Sequence, residues 1–522
     1  MSESPLTTLE SQRSSRSHPK LKGLDELSEL AAALRAHGRK IVLCHGVVDL
    51  LHIGHIRYFE EAKRLGDVLI VTVTPDRYVN KGPHRPAFSE RLRSEAIAAL
   101  ECIDHVAINA WPMAVETIRL LRPHVYVKGA DYQDASKDAT GGIALEEAAV
   151  NAVGGQVVFT NDITFSASHL INRHLAVFPQ DVSDYLTDFS GRHASADVIR
   201  CLEGARTLKA LVVGETIIDE YQYCEAIGKS SKEPILAVKR LSTEKFAGGI
   251  LAVGNHVANF SDHVGLVTLL GREQSQEEFI RQALHPTIQA HWLHRANAPT
   301  IVKRRFIESY FFTKLIEVYE MNDHSLSPSD NEQVCAMLRE HVPQYDVVIV
   351  VDFGHHMLTK EAVEVLCDRS RFLVVNTQAN AGNMGYHTIS KYRRADYVCI
   401  AEPEMRLETR DRQGDLRQMV LEVSRKLMVP RIAITRGKHG CLCYRAEEGF
   451  CEVPAFANQV VDRMGAGDAF LSVTALCVAQ DAPMEVVGFI GNVVGAQAIA
   501  TVGHRRSIER VSLLKHIESL LK

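Results

Sequence analysis

At 522 residues the chain is too long for one ordinary hydrophobic core, so two or three domains are expected. With 46% hydrophobic and 24% charged residues it has the balance of a globular protein, and a net charge of -5 gives no general reason to expect nucleic acid or an anionic membrane as partner. Eleven cysteines without a Cys-x-x-Cys pair fit a reducing cytoplasm better than a disulfide framework.

Residues 1–20 are polar and Ser-rich, lack the apolar core of a secretory signal, and are expected to form a disordered tail. No segment approaches a membrane-spanning run. From Lys40 to about His174 apolar runs alternate with helical patterns. Lys40–Cys44, Val68–Thr74, His105–Ile108, His124–Lys128 and Gln156–Thr160 read as strands of a parallel, doubly wound sheet, which places a first domain at 21–178.

The first apolar run breaks at Gly46, and a helical pattern (Ile56, Phe59, Ala62, Leu65) begins after Gly54. His52-Ile53-Gly54-His55 therefore falls at a strand-to-helix junction, where unpaired backbone N–H groups favour an anion. Two imidazoles flanking a glycine suit attack on the α-phosphate of a nucleotide, where charge grows on non-bridging oxygens as pyrophosphate leaves. The plain alternative is a capping loop whose histidines merely pack. Lys81 and Lys128 follow strands at the carboxyl edge, where such sheets bind ligands; Asp49 reads equally as a turn residue or as part of the site.

Phe178 to Arg206 loses sheet character, carries Pro179, Ser190, Gly191 and Ser195, and is expected to be a linker over 179–205. A second alternation fills 206–522, with strands near Ala210–Val213, Val264–Leu269, Val347–Val351, Phe372–Asn376 and Arg431–Thr435. Gly465-Ala466-Gly467-Asp468 lies between a polar loop and a long apolar helix. Small residues let the backbone close around phosphate oxygens, and Asp468 is placed to take a proton from an attacking hydroxyl. A Gly-rich helix cap with an N-terminal aspartate is the structural alternative.

Gly46 to His55, together with Lys81-Gly-Pro-His-Arg85-Pro86, Glu90-Arg91 and Val127-Lys128-Gly129-Ala130-Asp131-Tyr132, resembles the nucleotidyltransferases of the cytidylyltransferase family over about residues 38–175. The resemblance implies catalytic roles for His52 and His55. It implies nucleotide or phosphate contacts for Gly46, Asp49, Gly54, Lys81, Arg85, Lys128, Gly129 and Asp131, and for Ser166 and Ser168 in a Ser/Thr-rich turn, with ATP or CTP as donor. Val48 stands where the family usually has Phe. Class I aminoacyl-tRNA synthetases share His-Ile-Gly-His, but the Lys-Met-Ser-Lys-Ser-like loop they need is not visible.

Leu211 to Asp219, Phe246-Ala-Gly248-Gly249, Thr435-Arg-Gly437-Lys-His-Gly440 and Gly465 to Asp468 resemble the ribokinase (phosphofructokinase-B) sugar kinases over about residues 206–520. Implied are sugar contacts at Asp219, Gly248 and Gly249, and nucleotide contacts at Thr435, Gly437, Gly440, Gly465, Ala466, Gly467 and Asn492. Also implied are catalysis by Asp468, Mg²⁺ carried by the nucleotide with Glu404 as a ligand, and a small β lid over Tyr221–Lys245 that makes a homodimer. The fold expectation is thus two doubly wound α/β domains, one a Rossmann-like nucleotidyltransferase and one ribokinase-like with a β lid. In reversed order, the pair is similar to the bifunctional heptose-7-phosphate kinase/heptose-1-phosphate adenylyltransferases. That similarity implies a cytoplasmic enzyme that phosphorylates a sugar and then transfers a nucleotidyl group to a sugar or polyol phosphate, for surface glycans.

The kinase half departs from those relatives at Ala252, Met464, Asn376-Thr377-Gln378, His355-His356 and Ala401, each a lost polar ligand. The departures argue against heptose 7-phosphate as acceptor. They leave open a kinase for another sugar and a ligand-binding regulator without kinase activity.

Overall fold

The computed structural model describes residues 18–82, 85–129, 142–160, 178–457 and 460–522. Two compact units emerge, one of residues 1–177 with 514–520 and 522, the other of residues 178–513 with 521.

In the first unit, β1 (Ile41–Gly46), β2 (Val68–Val73), β3 (His105–Ile108), β4 (Val125–Lys128) and β5 (Gln156–Phe159) lie in the order β3-β2-β1-β4-β5, all parallel. Side chains of β1 alternate between two cores, as strand geometry requires. Ile41 and Leu43 pack with Leu27, Ile118 and Tyr126 on one face; Val42 and Cys44 pack with Phe59, Ile97 and Val127 on the other. Burial on both faces explains why these strands read as unbroken apolar runs. The strand order reverses between β1 and β4, the position in an open α/β sheet where ligands settle beyond the carboxyl ends. Of the expected tail, residues 18–20 belong to the fold. Val106 N–H donates to the Lys20 carbonyl at 2.8 Å and Leu21 bridges Val106, so the chain is tied down from about His18, and residues 1–17 lie outside the described residues.

The expected linker is instead two helices of the second unit, Gln180–Arg192 and Ser195–Gly204. Val182, Tyr185, Leu186 and Phe189 recur at helical spacing, and the Phe189 ring stacks 4.3 Å from Phe489. Their polar outer faces supplied the Ser and Gly that suggested a linker.

The main sheet of this unit uses β6 (Lys209–Gly214), β9 (His263–Glu273), β10 (Ile288–Pro299), β13 (Val347–Asp352), β14 (Leu373–Thr377), β15 (Tyr397–Ala401), β16 (Arg431–Thr435), β17 (Cys441–Arg445) and β18 (Gly449–Val453). Their order is β10-β9-β6-β13-β14-β15-β16-β17-β18, parallel up to β16 and antiparallel beyond it. The lid is larger than expected: β7 (Thr216–Lys229), β8 (Leu236–Gly249), β11 (Ile301–Glu308) and β12 (Thr313–Glu320) form a sheet in the order β12-β11-β7-β8. Asp219 lies in this lid sheet, not at the end of the first core strand, because the chain breaks at Glu215 and restarts as β7. Among the described residues no helix is long and apolar enough to cross a membrane.

Candidate active sites

At the end of β1 the chain turns through Val48, a β-branched residue at φ 46°, and enters the helix Ile53–Lys63 with His52 as its N-cap. The Gly54 N–H donates to His52 Nδ1 at 3.1 Å. In its neutral form His52 therefore carries its proton on Nε2, the nitrogen that would donate to an anion at this helix start. The His55 ring lies 4.0 Å from that of His52. Burial, the neighbouring imidazole and Lys81 push the His55 pKa down to about 3, and burial lowers that of His52. Both are neutral donors at physiological pH.

Asp49 is buried and ties down the next loop: one carboxylate oxygen takes Arg85 Nε, the other the Ala87 N–H at 2.6 Å. It therefore positions Arg85. Arg93, not expected from sequence, does similar work, donating to the Thr74 carbonyl at 2.8 Å and Asp76 at 2.6 Å. Burial and Arg85 push the Lys81 pKa down to about 8. Gly46 closes β1, and Gly129 follows β4 with open space where a Cβ would point. Lys128 is buried and paired with Glu146 at 2.8 Å. Asp131, Ser166 and Ser168 lie outside the described residues.

In the second unit Gly465 adopts φ 78° and caps the helix Ala466–Val478, so the loop delivers Asp468 to the first helical turn. Asp468 is buried; one oxygen accepts from Gln378 Nε2 at 2.8 Å. Burial raises its pKa, opposed by His504 and reinforced by Asp219. Asp219 faces the same space from the lid, one oxygen held by Arg305. A Cβ on Gly248 would fall 2.0 Å from Asp219 Oδ2, so glycine there is what admits the carboxylate. Gly249, at φ 54°, caps the helix carrying Ala252. Behind the loop, Asp462 accepts from Lys314 Nζ at 2.7 Å, Tyr221 at 2.7 Å, and the N–H groups of Met464 at 3.2 Å and Gly503 at 3.0 Å.

On the other side of the glycine loop opens a cleft of about 2050 Å³ lined by Thr435, Gly437, Gly440, Ala466, Gly467 and Asn492. Tyr185 and Val182, from the helix first read as linker, line it too, with Arg436, Arg463 and Phe456. Asp219, Gly248, Gly249 and Asp468 do not line this cleft, so the two groups of expected site residues flank one loop. Asn492 also donates to the Gly488 carbonyl at 3.0 Å. Glu404, expected as a metal ligand, is a helix cap: its oxygens accept the N–H groups of Ala379 at 3.1 Å and Ala401 at 2.6 Å. Among the described residues no cluster of three or more His, Cys, Asp or Glu is arranged to hold a metal ion. Asp352, just before the departure at His355-His356, is held by Lys391 and His387, each at 2.9 Å.

Sequence reasoning missed Gln378, Arg305, Lys391 and His504. The nearest signal was the altered Asn376-Thr377-Gln378 segment.

Residues 207–510 match the model of the pfkB family carbohydrate kinases, and residues 43–172 the cytidylyltransferase-like model. The Bifunctional protein HldE of Trichlorobacter lovleyi is 45% identical over 118 residues, 22% of this chain and 24% of that protein. The protein of the same name from Aliarcobacter butzleri is 41% identical over 145 residues, 27% of this chain and 30% of that one. These matches fall in the N-terminal part, so the chain spans less than a third of the length of these curated relatives. The phosphofructokinase-2 of Escherichia coli in complex with fructose-6-phosphate superposes with a TM-score of 0.50 at 12% identity, covering 60% of this chain and 100% of that one, a likeness of fold.

Proposed function

Because the chain belongs to the pfkB family of carbohydrate kinases through residues 207–510 and carries a cytidylyltransferase-like domain at 43–172, we propose that it runs two consecutive reactions. The second unit phosphorylates a carbohydrate hydroxyl with ATP. The first transfers a nucleoside monophosphate from ATP or CTP to a sugar or polyol phosphate and releases pyrophosphate. The carrying observation is Asp468: a buried carboxylate beside the glycine loop, one oxygen fixed by Gln378, with a pKa raised toward that of a base.

In the kinase step the N–H groups opening the helix Ala466–Val478 receive the transferring phosphoryl oxygens. Asp219 binds a sugar hydroxyl, and Asp468 takes the proton of the attacking one. In the transferase step His52 Nε2–H and His55 donate to α-phosphate oxygens as their charge grows, while Lys81 and Arg85 supply positive charge. Mg²⁺, when bound, screens the phosphate charge; with Glu404 occupied as a cap, it would enter on the nucleotide, with Asp468 the nearest carboxylate of the glycine loop.

The lid presents Ile227, Ile235, Leu236, Leu241 and Ile316 to solvent, each more than half exposed, which supports a homodimer through this sheet. Sedimentation of the full chain tests it: a monomer at micromolar concentration overturns it. Unpaired cysteines throughout support a cytoplasmic setting. Met464, where relatives carry a hydroxyl, favours a second reading in which the kinase half binds ligand and regulates. Mass spectrometry of products from the full chain with ATP or CTP and a panel of sugars and sugar phosphates decides. A phosphorylated sugar and a nucleotidyl sugar support the proposal. No phosphorylated sugar with any acceptor supports the regulatory reading, and no nucleotidyl product removes the transferase assignment.

A further inference from the structure

His504 is not part of any motif by which the two domains are known, yet it stands at the centre of the sugar side. Its side chain is 7% exposed, and its Nε2 lies 3.7 Å from Asp219 Oδ2 and 4.0 Å from Asp468 Oδ2. Both gaps are too long for a direct hydrogen bond. Each is the span that one oxygen bridges with two contacts of about 2.8 Å meeting at roughly 80–90°. The other oxygen of each carboxylate is already engaged, Asp219 Oδ1 by Arg305 and Asp468 Oδ1 by Gln378. What remains open on the two acids therefore faces the same imidazole nitrogen.

The ring is held in that position by the backbone around it. A Cβ on Gly465 would fall 2.2 Å from His504 Cε1, so the ring packs directly on the left-handed glycine of the phosphate loop. Gly503, just before it, adopts φ 49° and donates its N–H to Asp462 Oδ2 at 3.0 Å. The turn that presents His504 and the loop that presents Asp468 are thus anchored on the same carboxylate, since Asp462 also accepts from Met464 N–H.

We propose that His504 is a catalytic residue of the kinase half, an inference that rests on the kinase reading above. Its Nε2–H donates to the oxygen of the attacking carbohydrate hydroxyl, which sits between it and Asp468 Oδ2. That hydroxyl gives its proton to Asp468. One lone pair on its oxygen forms the new bond to the γ-phosphorus of ATP, and the other accepts from His504. The bond from the γ-phosphorus to the β–γ bridging oxygen breaks, and ADP leaves with its electrons; His504 keeps its proton throughout. Asp219 Oδ2, on the far side of the same nitrogen, takes the hydroxyl of the adjacent carbon. The site therefore selects an acceptor with two neighbouring hydroxyls, one attacking and one bound.

The test uses the full chain, with ATP and the acceptor panel, comparing wild type with His504→Ala and His504→Gln. ADP release gives kcat and KM, while melting temperature and ATP binding by calorimetry report folding. Removing one donor from a buried hydroxyl should lower kcat/KM in His504→Ala by about 10- to 100-fold with ATP binding intact. His504→Gln, which returns an N–H at similar reach, should recover part of the loss. The proposal is overturned if His504→Ala keeps a kcat/KM within twofold of wild type, or if both variants lose activity equally. If the wild type releases no ADP with any acceptor, it is the kinase reading that fails, and the role of His504 falls with it.

Discussion

Each unit offers phosphate a helix N-terminus, and the two surround it with opposite chemistry. Around the helix Ile53–Lys63 stand two imidazoles whose pKa values are lowered, and the carboxylate described there, Asp49, accepts from Arg85 and Ala87. Around the helix Ala466–Val478 two carboxylates converge, and one of them has a raised pKa. Under the proposed reactions the difference follows from the nucleophile each site would use. A sugar phosphate arrives already anionic and needs no base, so donors that stabilise charge on the α-phosphate suffice. A sugar hydroxyl must lose a proton as it attacks, so such a site needs a carboxylate base poised to receive it.

The comparison breaks most visibly at Asp468. Asp468→Asn keeps the shape and the Gln378 contact on one side but removes the base; ADP release should fall by about 10²- to 10⁴-fold while pyrophosphate release holds. A kinase that survives this change has no base at Asp468, and the contrast between the sites disappears. Next in size, His52→Ala and His55→Ala should each lower pyrophosphate release by about 10²- to 10³-fold and leave ADP release unchanged. A parental rate in His55→Ala would remove the first site from the argument. Gly248→Ala sharpens the second site. The added methyl meets Asp219 Oδ2, which Arg305 keeps from yielding, so acceptor KM should rise by about tenfold or more with ATP binding unaffected. Equal KM values would mean that Asp219 does not bind the sugar.

The smallest effect is one the two units share. Burial and neighbouring groups hold His55 at about 3 and His45 at about 4 in the first unit, and burial with His504 holds His256 at about 3 in the second. All lie below the ordinary histidine value near 6.5. The unfolded chain takes up protons from about pH 6.5 downward that the folded chain refuses until about pH 3–4, so stability falls as pH drops through that window. Melting temperature between pH 7 and 4.5 should decline, and less steeply in His256→Gln. A flat profile would show these histidines to be protonated in the fold.

The first site was legible because its parts are neighbours in the chain: one strand, one turn and one helix start carry Gly46 through His55. Its supports were less so: Asp49 holds Arg85 from 36 residues away and Arg93 reaches the Val47 carbonyl from 46, contacts that carry no local pattern. In the second unit the glycine loop was equally plain, whereas Gln378, Arg305 and His504 come from separate elements that meet through the sheet order. The helix Gln180–Arg192 was read as linker because its Ser and Gly fall on the exposed face, while the buried stripe through Phe189 is narrow. The lid strands β11 and β12 escaped notice for a related reason: a sheet with one face in solvent dilutes its apolar signal with charge.

Asp462 ties these observations to motion. Its carboxylate is shared by Lys314 and Tyr221 of the lid and by the backbone of the phosphate loop and of the Gly503 turn. Lifting the lid strands would strip a buried charge of two partners, so opening the lid is expected to loosen the phosphate loop as well. Reciprocity then follows: a carbohydrate that closes the lid tightens ATP binding by the same factor by which ATP tightens the hold on the carbohydrate. Cooperativity between the two substrates is in this sense a property of one aspartate that touches neither.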